Sequence, residues 1–429
     1  MNQLSPIQTS ASAQSVVPGQ PEMTQFNGEN AVLTPDRAII TGLRRKFEQE
    51  LFESVIPFWE KHSPDSENGG FFNCLDRDGH VYETTKHIWL QARQVFMFSK
   101  LYRAVEERPA WLEMARSGMS FLRSHAFRDD GRVFFSVTAD GKPVSLQRKI
   151  FSECFYIMAL AEYGRAANDR ACLSEAQEEF ARVWKWAFDW RQVGRPVFEG
   201  ETASQNLAVP MILLNLIEVL ADGDVRQYQH EIDDCIRRML LHVDCGKEIV
   251  FENVAPDGSF INSCAGRHLN PGHAIEAGWF LQHWAQRLGR EDLSSTAVNM
   301  VRWSHDLGWD KEWGGLYYFL DCNGYSPTQL EWNMKLWWPH CEALYGHLLN
   351  YSITRSPADW LRFMATEAYT FSHFPDPVHG EWYGYLDRTG AVTHRFKGGP
   401  YKGCFHVPRA LWLCWTLLQR LENDLPQSL

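Results

Sequence analysis

Apolar positions recur every three or four residues in paired blocks along most of the chain, the mark of amphipathic and buried helices. The pattern predicts twelve helices, at residues 36–61, 87–105, 109–125, 150–167, 171–190, 205–222, 225–242, 272–288, 291–307, 334–351, 356–373 and 404–421. Connections after the even-numbered helices are short, as in Ala167-Asn-Asp-Arg-Ala171 and Leu288-Gly-Arg-Glu291. Connections after the odd-numbered helices are long. Even helices such as the one opening Leu207-Ala-Val-Pro-Met211 are apolar nearly all round, as a helix buried on both faces must be. Odd helices such as the one holding Ser174-Glu-Ala-Gln-Glu-Glu-Phe180 are amphipathic. Six helical hairpins of this kind cannot bury their faces alone and close into an all-α (α/α)6 barrel, even helices inside and odd helices outside.

The long connections carry a repeat of their own: a short aromatic strand, a turn with glycine, and a second strand. It reads Gly70-Phe-Phe-Asn-Cys-Leu-Asp-Arg-Asp-Gly79, then Gly131 to Gly141, a degenerate Arg195-Pro-Val-Phe-Glu-Gly200, Ile249 to Gly258, Gly315 to Gly324 and Glu381 to Gly390. The turn glycines stand 62, 59, 58, 66 and 66 residues apart. All six long loops then fall at one end of the barrel, where a rigid scaffold presents functional residues. The barrel is expected to span 34–425. Residues 1–33, rich in Ser, Gln, Pro, Asn and Thr without periodicity, read as a disordered extension.

The 429 residues are 45% hydrophobic and 22% charged, enough for one large core. The net charge of -11, with no basic run, argues against nucleic acid as a partner. No apolar run approaches the roughly 18 residues of a membrane span, and no secretory signal pattern opens the chain. Ten cysteines are scattered without a C-x-x-C or metal spacing and read as free thiols of a reducing cytoplasm. Aromatic residues reach 14%, with 18 Trp, which suits sugar-stacking pockets as well as bulky core packing.

Chemistry concentrates at the starts of the inner helices. Arg267-His-Leu-Asn-Pro-Gly-His273-Ala-Ile-Glu276 places His273 in a first helical turn with Glu276 three residues on, on the same face. A histidine capping a turn would account for that stretch alone. Gly403-Cys-Phe-His406-Val-Pro-Arg409 repeats the layout, and a histidine beside a carboxylate is a tunable acid/base near neutral pH. Other polar residues at inner-helix starts are Lys86, Trp89, Gln91, Arg93, Gln94, Ser152, Glu153, Gln205, Asn206, Glu331, Lys335, Trp337, Trp338, His340, Glu342 and Lys402. If the barrel closes, they converge on one pocket. His273 with Glu276 offers only two metal ligands, no phosphate-cradling G-x-x-x-x-G-K occurs, and no G-x-S-x-G turn occurs. Two histidines facing one carbon from opposite sides would remove and return a proton next to a carbonyl. Arg93 would stabilise the enolate oxygen, and Glu276 or Glu342 would orient a histidine and set its tautomer.

The strings Trp89-Leu-Gln-Ala-Arg93-Gln, Leu207-Ala-Val-Pro-Met, Asn270-Pro-Gly-His273-Ala-Ile-Glu276-Ala, Gln329-Leu-Glu-Trp-Asn-Met-Lys-Leu-Trp-Trp-Pro-His340-Cys-Glu342 and Lys397-Gly-Gly-Pro-Tyr-Lys-Gly-Cys-Phe-His406-Val-Pro-Arg409 resemble the N-acylglucosamine 2-epimerases, also called renin-binding proteins, over roughly residues 45–420. The resemblance implies interconversion of N-acetylglucosamine and N-acetylmannosamine, a sialic acid precursor. The implied route is ring opening, proton loss at C2, an enediolate, and reprotonation on the other face. His273 and His406 would be the acid/base pair. Arg93, Glu276 and Glu342 would be essential pocket residues, with Trp89, Asn206, Trp338, His340 and Arg409 contributing to substrate binding. The resemblance further implies a cytoplasmic homodimer, no metal, and ATP as an activator that is not consumed. Some bacterial members carry a Gly/Lys-rich loop before the inner helix at 205–222. Here Val193-Gly-Arg-Pro-Val-Phe-Glu-Gly-Glu201 departs from it. Other readings stay open: an aldose–ketose isomerase or another sugar 2-epimerase on the same barrel, and a regulatory binding protein without turnover.

Overall fold

In the computed structural model, which describes residues 35–425, the expected helical blocks form within a few residues of their bounds. The extension expected at 1–33 lies outside the described residues. The first outer helix is one rod: α1 (Arg37–Gln49) runs through a π-helical turn, Glu50–Val55, into α2 (Ile56–His62) and then across to inner helix α3 (Ile88–Ala104). The outer–inner order repeats as α4 (Pro109–His125) and α5 (Phe151–Ala166), α6 (Arg170–Trp186) and α7 (Ala208–Ala221), α8 (Gln229–Leu240) and α9 (Pro271–Leu288), α10 (Glu291–Gly308) and α11 (Trp337–Thr354), and α12 (Pro357–His373) and α13 (His406–Asp424). Local chemistry sets the ends. Asp36 caps α1, Asp169 caps α6 and Asn270 caps α9, each accepting from backbone N–H groups that a helix start leaves open. Pro stands in the first turn of α4, α9 and α12.

The inner ring is what an all-round apolar sequence dictates. Leu213, Leu214, Leu216 and Ile217 of α7 are all fully buried, each side chain contributing about 1.5–3 kcal/mol over an exposed one. The six inner helices pack in sequence from α3 to α13. The ring closes where Phe405, leading α13, meets Phe96 of α3 at 5.8 Å, and Lys100 lies over Trp412 at 5.6 Å.

The long loops interlock at the end where the inner helices start. The two residues before α3, Lys86–His87, pair with Ser136–Val137 of the next loop. Gln205–Asn206 before α7 pair with Asn253–Val254, His268–Leu269 before α9 with Leu320–Asp321, and Lys335–Leu336 before α11 with Tyr385–Leu386. Backbone bonds between Leu75 and Lys397–Gly398 join the last loop to the first. Turn glycines Gly79, Gly141, Gly258, Gly324 and Gly390 have φ of 89°, 87°, 88°, 77° and 91°, the left-handed region that favours glycine. The third hairpin is a correction. Gly200 is not left-handed, and its loop carries a short 3-10 turn, Trp190–Val193, in place of paired strands. With no alternating partner strand in the loop, the degenerate sequence does not close.

A buried Asp–Lys pair recurs beneath these loops. Asp65 with Lys86, Asp310 with Lys335, and Asp376 with Lys397 join at 2.7, 3.1 and 3.1 Å. Each lysine also donates to a glycine carbonyl of the loop, at Gly69, Gly315 and Gly380. Lys402 pairs with buried Glu381 at 2.7 Å. Lys86, Lys335 and Lys402 therefore brace the loops and do not enter the pocket. Gln91 likewise clamps the backbone of Phe71, and Glu153 pairs with Arg132 at 2.6 Å. No described helix is long and apolar enough to cross a membrane.

Candidate active site

A cavity of about 580 Å3 opens at the loop end of the barrel, lined by Trp89 and Arg93 of α3, His273 and Glu276 of α9, Trp337 and Trp338 of α11, and His406 of α13. The loops add Tyr318, Glu331, Met334, Tyr385, His394 and Tyr401. His273 and His406 both stand close to one indole: their rings lie 5.2 and 5.8 Å from that of Trp338.

Each imidazole is held through Nδ1 by a buried carboxylate. Nδ1 of His406 meets Glu342 Oε1 at 2.7 Å. Nδ1 of His273 meets the two Glu252 oxygens at 3.0 and 3.2 Å. A carboxylate accepts only, so Nδ1 carries the proton in both rings and Nε2 is the nitrogen free for chemistry. Asn206 donates to Glu252 Oε1 at 2.9 Å and accepts from the Ala208 N–H at the start of α7. Glu276 is not the partner of His273, as its position three residues on suggests. It accepts from Arg409 Nη2 at 2.5 Å, and the same nitrogen donates to Glu342 at 2.8 Å. Trp279 Nε1 donates to the other Glu342 oxygen at 3.0 Å.

The two histidines are displaced in opposite directions. Burial would lower His273, but the Glu252 charge and hydrogen bond win and raise it. His406 is pushed well below the usual histidine range, by burial first and then by the Arg93 and Arg409 charges. Glu252 is lowered: burial opposes this, and the charge of His273 and its hydrogen bond override it. Arg93 is 8% exposed, stacked between Phe155, Trp89 and Phe405 at 4.0, 4.3 and 4.8 Å. Its Nε has no hydrogen-bond partner among the described residues. Burial, then the Arg409 charge, bring it down to about 9, so it stays charged at neutral pH. Glu276, Glu342 and His406 bring one ligand atom each within 4.8 Å of one another. The Arg409 guanidinium bonds both carboxylates and already supplies the positive charge there.

Of the residues singled out in the sequence, Trp89, Arg93, His273, Glu276, Trp338 and His406 line the cavity. Asn206, Glu342 and Arg409 stand behind it and hold the residues that do. His340 is a correction. It is fully buried, accepts from Leu316 N–H at 2.9 Å, donates to Leu336 C=O at 2.6 Å, and packs on Tyr369 of α12. It points into the outer ring, and burial pushes it down to about 3. Glu252 is the site residue the sequence does not announce. It sits in a hairpin strand, Phe251-Glu-Asn253, whose pattern gives no sign that the carboxylate is buried.

Residues 70–410, which contain every one of these side chains, match the family model described as N-acylglucosamine 2-epimerase (GlcNAc 2-epimerase). The chain belongs to the N-acylglucosamine 2-epimerase family. It is 47% identical to the bovine (Bos taurus) N-acylglucosamine 2-epimerase over 382 residues, covering 87% of this chain and 90% of that one. Identity to the human (Homo sapiens) N-acylglucosamine 2-epimerase is 43% over 395 residues, 90% and 92% of the two chains. Among solved structures, cellobiose 2-epimerase from Bacillus thermoamylovorans superposes with a TM-score of 0.76 at 22% identity, covering 89% of this chain and 100% of that one. A D-mannose isomerase does so at 0.71 and 18%, covering 88% and 98%. The two solved structures share the barrel. Membership in the family rests on the motif model and the mammalian sequences, and it makes this chain an isomerase acting on sugars.

Proposed function

We propose that the chain interconverts N-acetylglucosamine and N-acetylmannosamine by passing a proton between the two faces of C2 in the open-chain sugar. The observation that carries this is the pair of histidines set on one cavity with opposite displacements. His406, displaced toward its neutral form, is the better suited base, and His273, displaced toward its protonated form, the better suited acid. One Nε2 takes the C2 proton, and the C–H electrons pass into an enediolate. The other Nε2 returns a proton to the opposite face. The pair ends with its protonation states exchanged and works in reverse for the other sugar. Arg93, charged and lacking a partner on Nε, faces the place where the enediolate oxygen gains charge. Stacking residues Trp89, Trp338 and Tyr401 suit the apolar face of a sugar.

Proton NMR of N-acetylglucosamine with the protein in heavy water tests the reaction. Deuterium should enter C2 as the manno isomer appears. A ketose product would show return to C1 and the isomerase reading. His273→Ala and His406→Ala should each lower turnover by about 10²–10⁴-fold, with the circular dichroism of the native barrel retained. Near-full activity in either variant sinks the two-base assignment. The proposal includes a cytoplasmic homodimer, supply of a sialic acid precursor, no metal requirement, and ATP as an activator that is not consumed. Turnover with and without ATP, in the presence of EDTA, and the sedimentation of the active species check these points.

A further inference from the structure

Behind the substrate pocket the barrel lumen continues. A second cavity, about 760 Å3, lies between the C-terminal halves of the inner helices. Its wall holds polar groups that the chemistry above leaves unused. Asn215 interrupts the apolar run Ile212-Leu-Leu-Asn215-Leu-Ile217 of α7, lines the cavity, and is 8% exposed. Its amide has no hydrogen-bond partner among the described residues. The amide faces the open cavity, where water or a ligand can meet it. The indole N–H of Trp412, by contrast, is enclosed and has no hydrogen-bond partner among the described residues. Beside them His283 is fixed between Glu218, 3.1 Å from Nδ1, and the Tyr345 hydroxyl, 2.8 Å from Nε2. Aromatic faces come from Trp279, Tyr345, Trp412 and Phe96.

The carboxylates of this cavity are already met. Glu218 has Arg287 at 3.0 Å, Glu162 has Arg103 at 2.7 Å and Lys100 at 3.6 Å, and Asp222 has Arg103 and Arg165, both at 3.1 Å. What remains is an open amide, ring faces and the solvent-exposed guanidinium of Arg420, groups that bind a polyhydroxylated ring. The floor of the cavity is Arg409 and Trp279, and both donate to Glu342, the carboxylate that holds His406.

We propose that the rear cavity is a second binding site for a neutral amino sugar, hydrogen-bonded by Asn215. Occupancy there holds Arg409 and Trp279 in place and so steadies Glu342 and His406. The binding stands on the cavity alone, while its effect on turnover rests on the role of His406 proposed above.

Equilibrium dialysis with labelled N-acetylmannosamine tests it. The unmodified protein should bind two sugars per chain. Asn215→Leu, close in volume and lacking the amide, should bind one, and Val219→Trp, which fills the rear mouth, should also bind one. Arg93→Ala should likewise keep one, now at the rear. Thermal melts followed by circular dichroism establish that the variants are folded. The dependence of rate on N-acetylmannosamine should rise in two phases in the unmodified protein and in one phase in Val219→Trp. One sugar per chain in the unmodified protein, or two retained in both Asn215→Leu and Val219→Trp, overturns the rear site. A protein that binds two sugars and turns over neither would count against the epimerase reading and leave the rear site standing.

Discussion

Glu252 and Glu342 each fix one imidazole through Nδ1, and they differ in what else they hold. Glu342 is shared with Arg409 and Trp279, so little of its charge is left to favour a protonated His406. Glu252 takes a hydrogen bond from neutral Asn206 and has His268 nearby, and its hydrogen bond and the larger share of its charge go to His273. This difference separates the two rings into an acid and a base. Glu252→Gln tests it at the level of one atom. Glutamine oxygen still accepts from His273 Nδ1, so the ring stays oriented, but the charge that raises His273 is gone and burial is left unopposed. The group that must be protonated sets the basic limb of a kcat/KM profile. In the unmodified protein that limb lies above the ordinary histidine value of about 6.5, and in Glu252→Gln it should move to lower pH. At neutral pH kcat should fall about 10²-fold with KM little changed. A basic limb that stays in place would show that Glu252 positions the ring without tuning it.

At the scale of elements, the loops depend on their buried ion pairs. Lys86→Met keeps the length of the side chain but leaves Asp65 buried without its cation. Breaking a buried pair from one side costs about 3–5 kcal/mol, and urea unfolding should show a loss of that size. The substitution lies outside the rings of the site, so kcat should hold within a few-fold. The helices that carry these loops were legible because a helix buried on one or two faces must repeat with its own period, as α7 and α6 do. The turn glycines were legible because the left-handed region leaves few alternatives. Pairing between loops was not legible. The strand at Asn253 meets the strand before α7, and nothing in either sequence names the other; that is why Glu252 went unassigned. The direction a side chain takes around an inner helix was equally hidden. His340 is two residues from Trp338, and two residues turn a helix by about 200°. One side chain therefore faces the cavity and the other the outer ring. In an all-round apolar helix no polar face tells the two directions apart.

At the scale of the whole molecule, the contact of α10, α11 and α12 gathers buried histidines that should make stability depend on pH. His305 of α10 and His347 of α11 meet edge to face at 4.5 Å, and both ring nitrogens of His347 are buried without a partner. Burial lowers both, and it lowers His340 on the same helix to about 3. His305 and the arginines Arg302 and Arg362 push His347 further down, and Asp306 opposes them. All three histidines fold neutral, whereas an unfolded histidine takes up a proton near pH 6.5. The unfolded state then binds more protons below that pH, and stability falls as pH falls. For His340 the window runs from about 6.5 to about 3. Between pH 6.5 and 5 it alone costs about 2 kcal/mol, and His305 and His347 act in the same direction. His273, raised by Glu252, works the other way: its contribution is present in acid and is lost as pH rises through its folded value. His62, His87, His242, His268 and His406 are lowered as well, so eight lowered histidines stand against one raised, which leaves a net loss in acid. Urea midpoints measured from pH 7 to pH 5 should therefore fall steeply. His347→Leu removes a titrating ring that makes no hydrogen bond, so the slope should become shallower by close to one proton while stability at pH 7 holds or rises. An unchanged slope in His347→Leu would place the acid sensitivity elsewhere in the barrel.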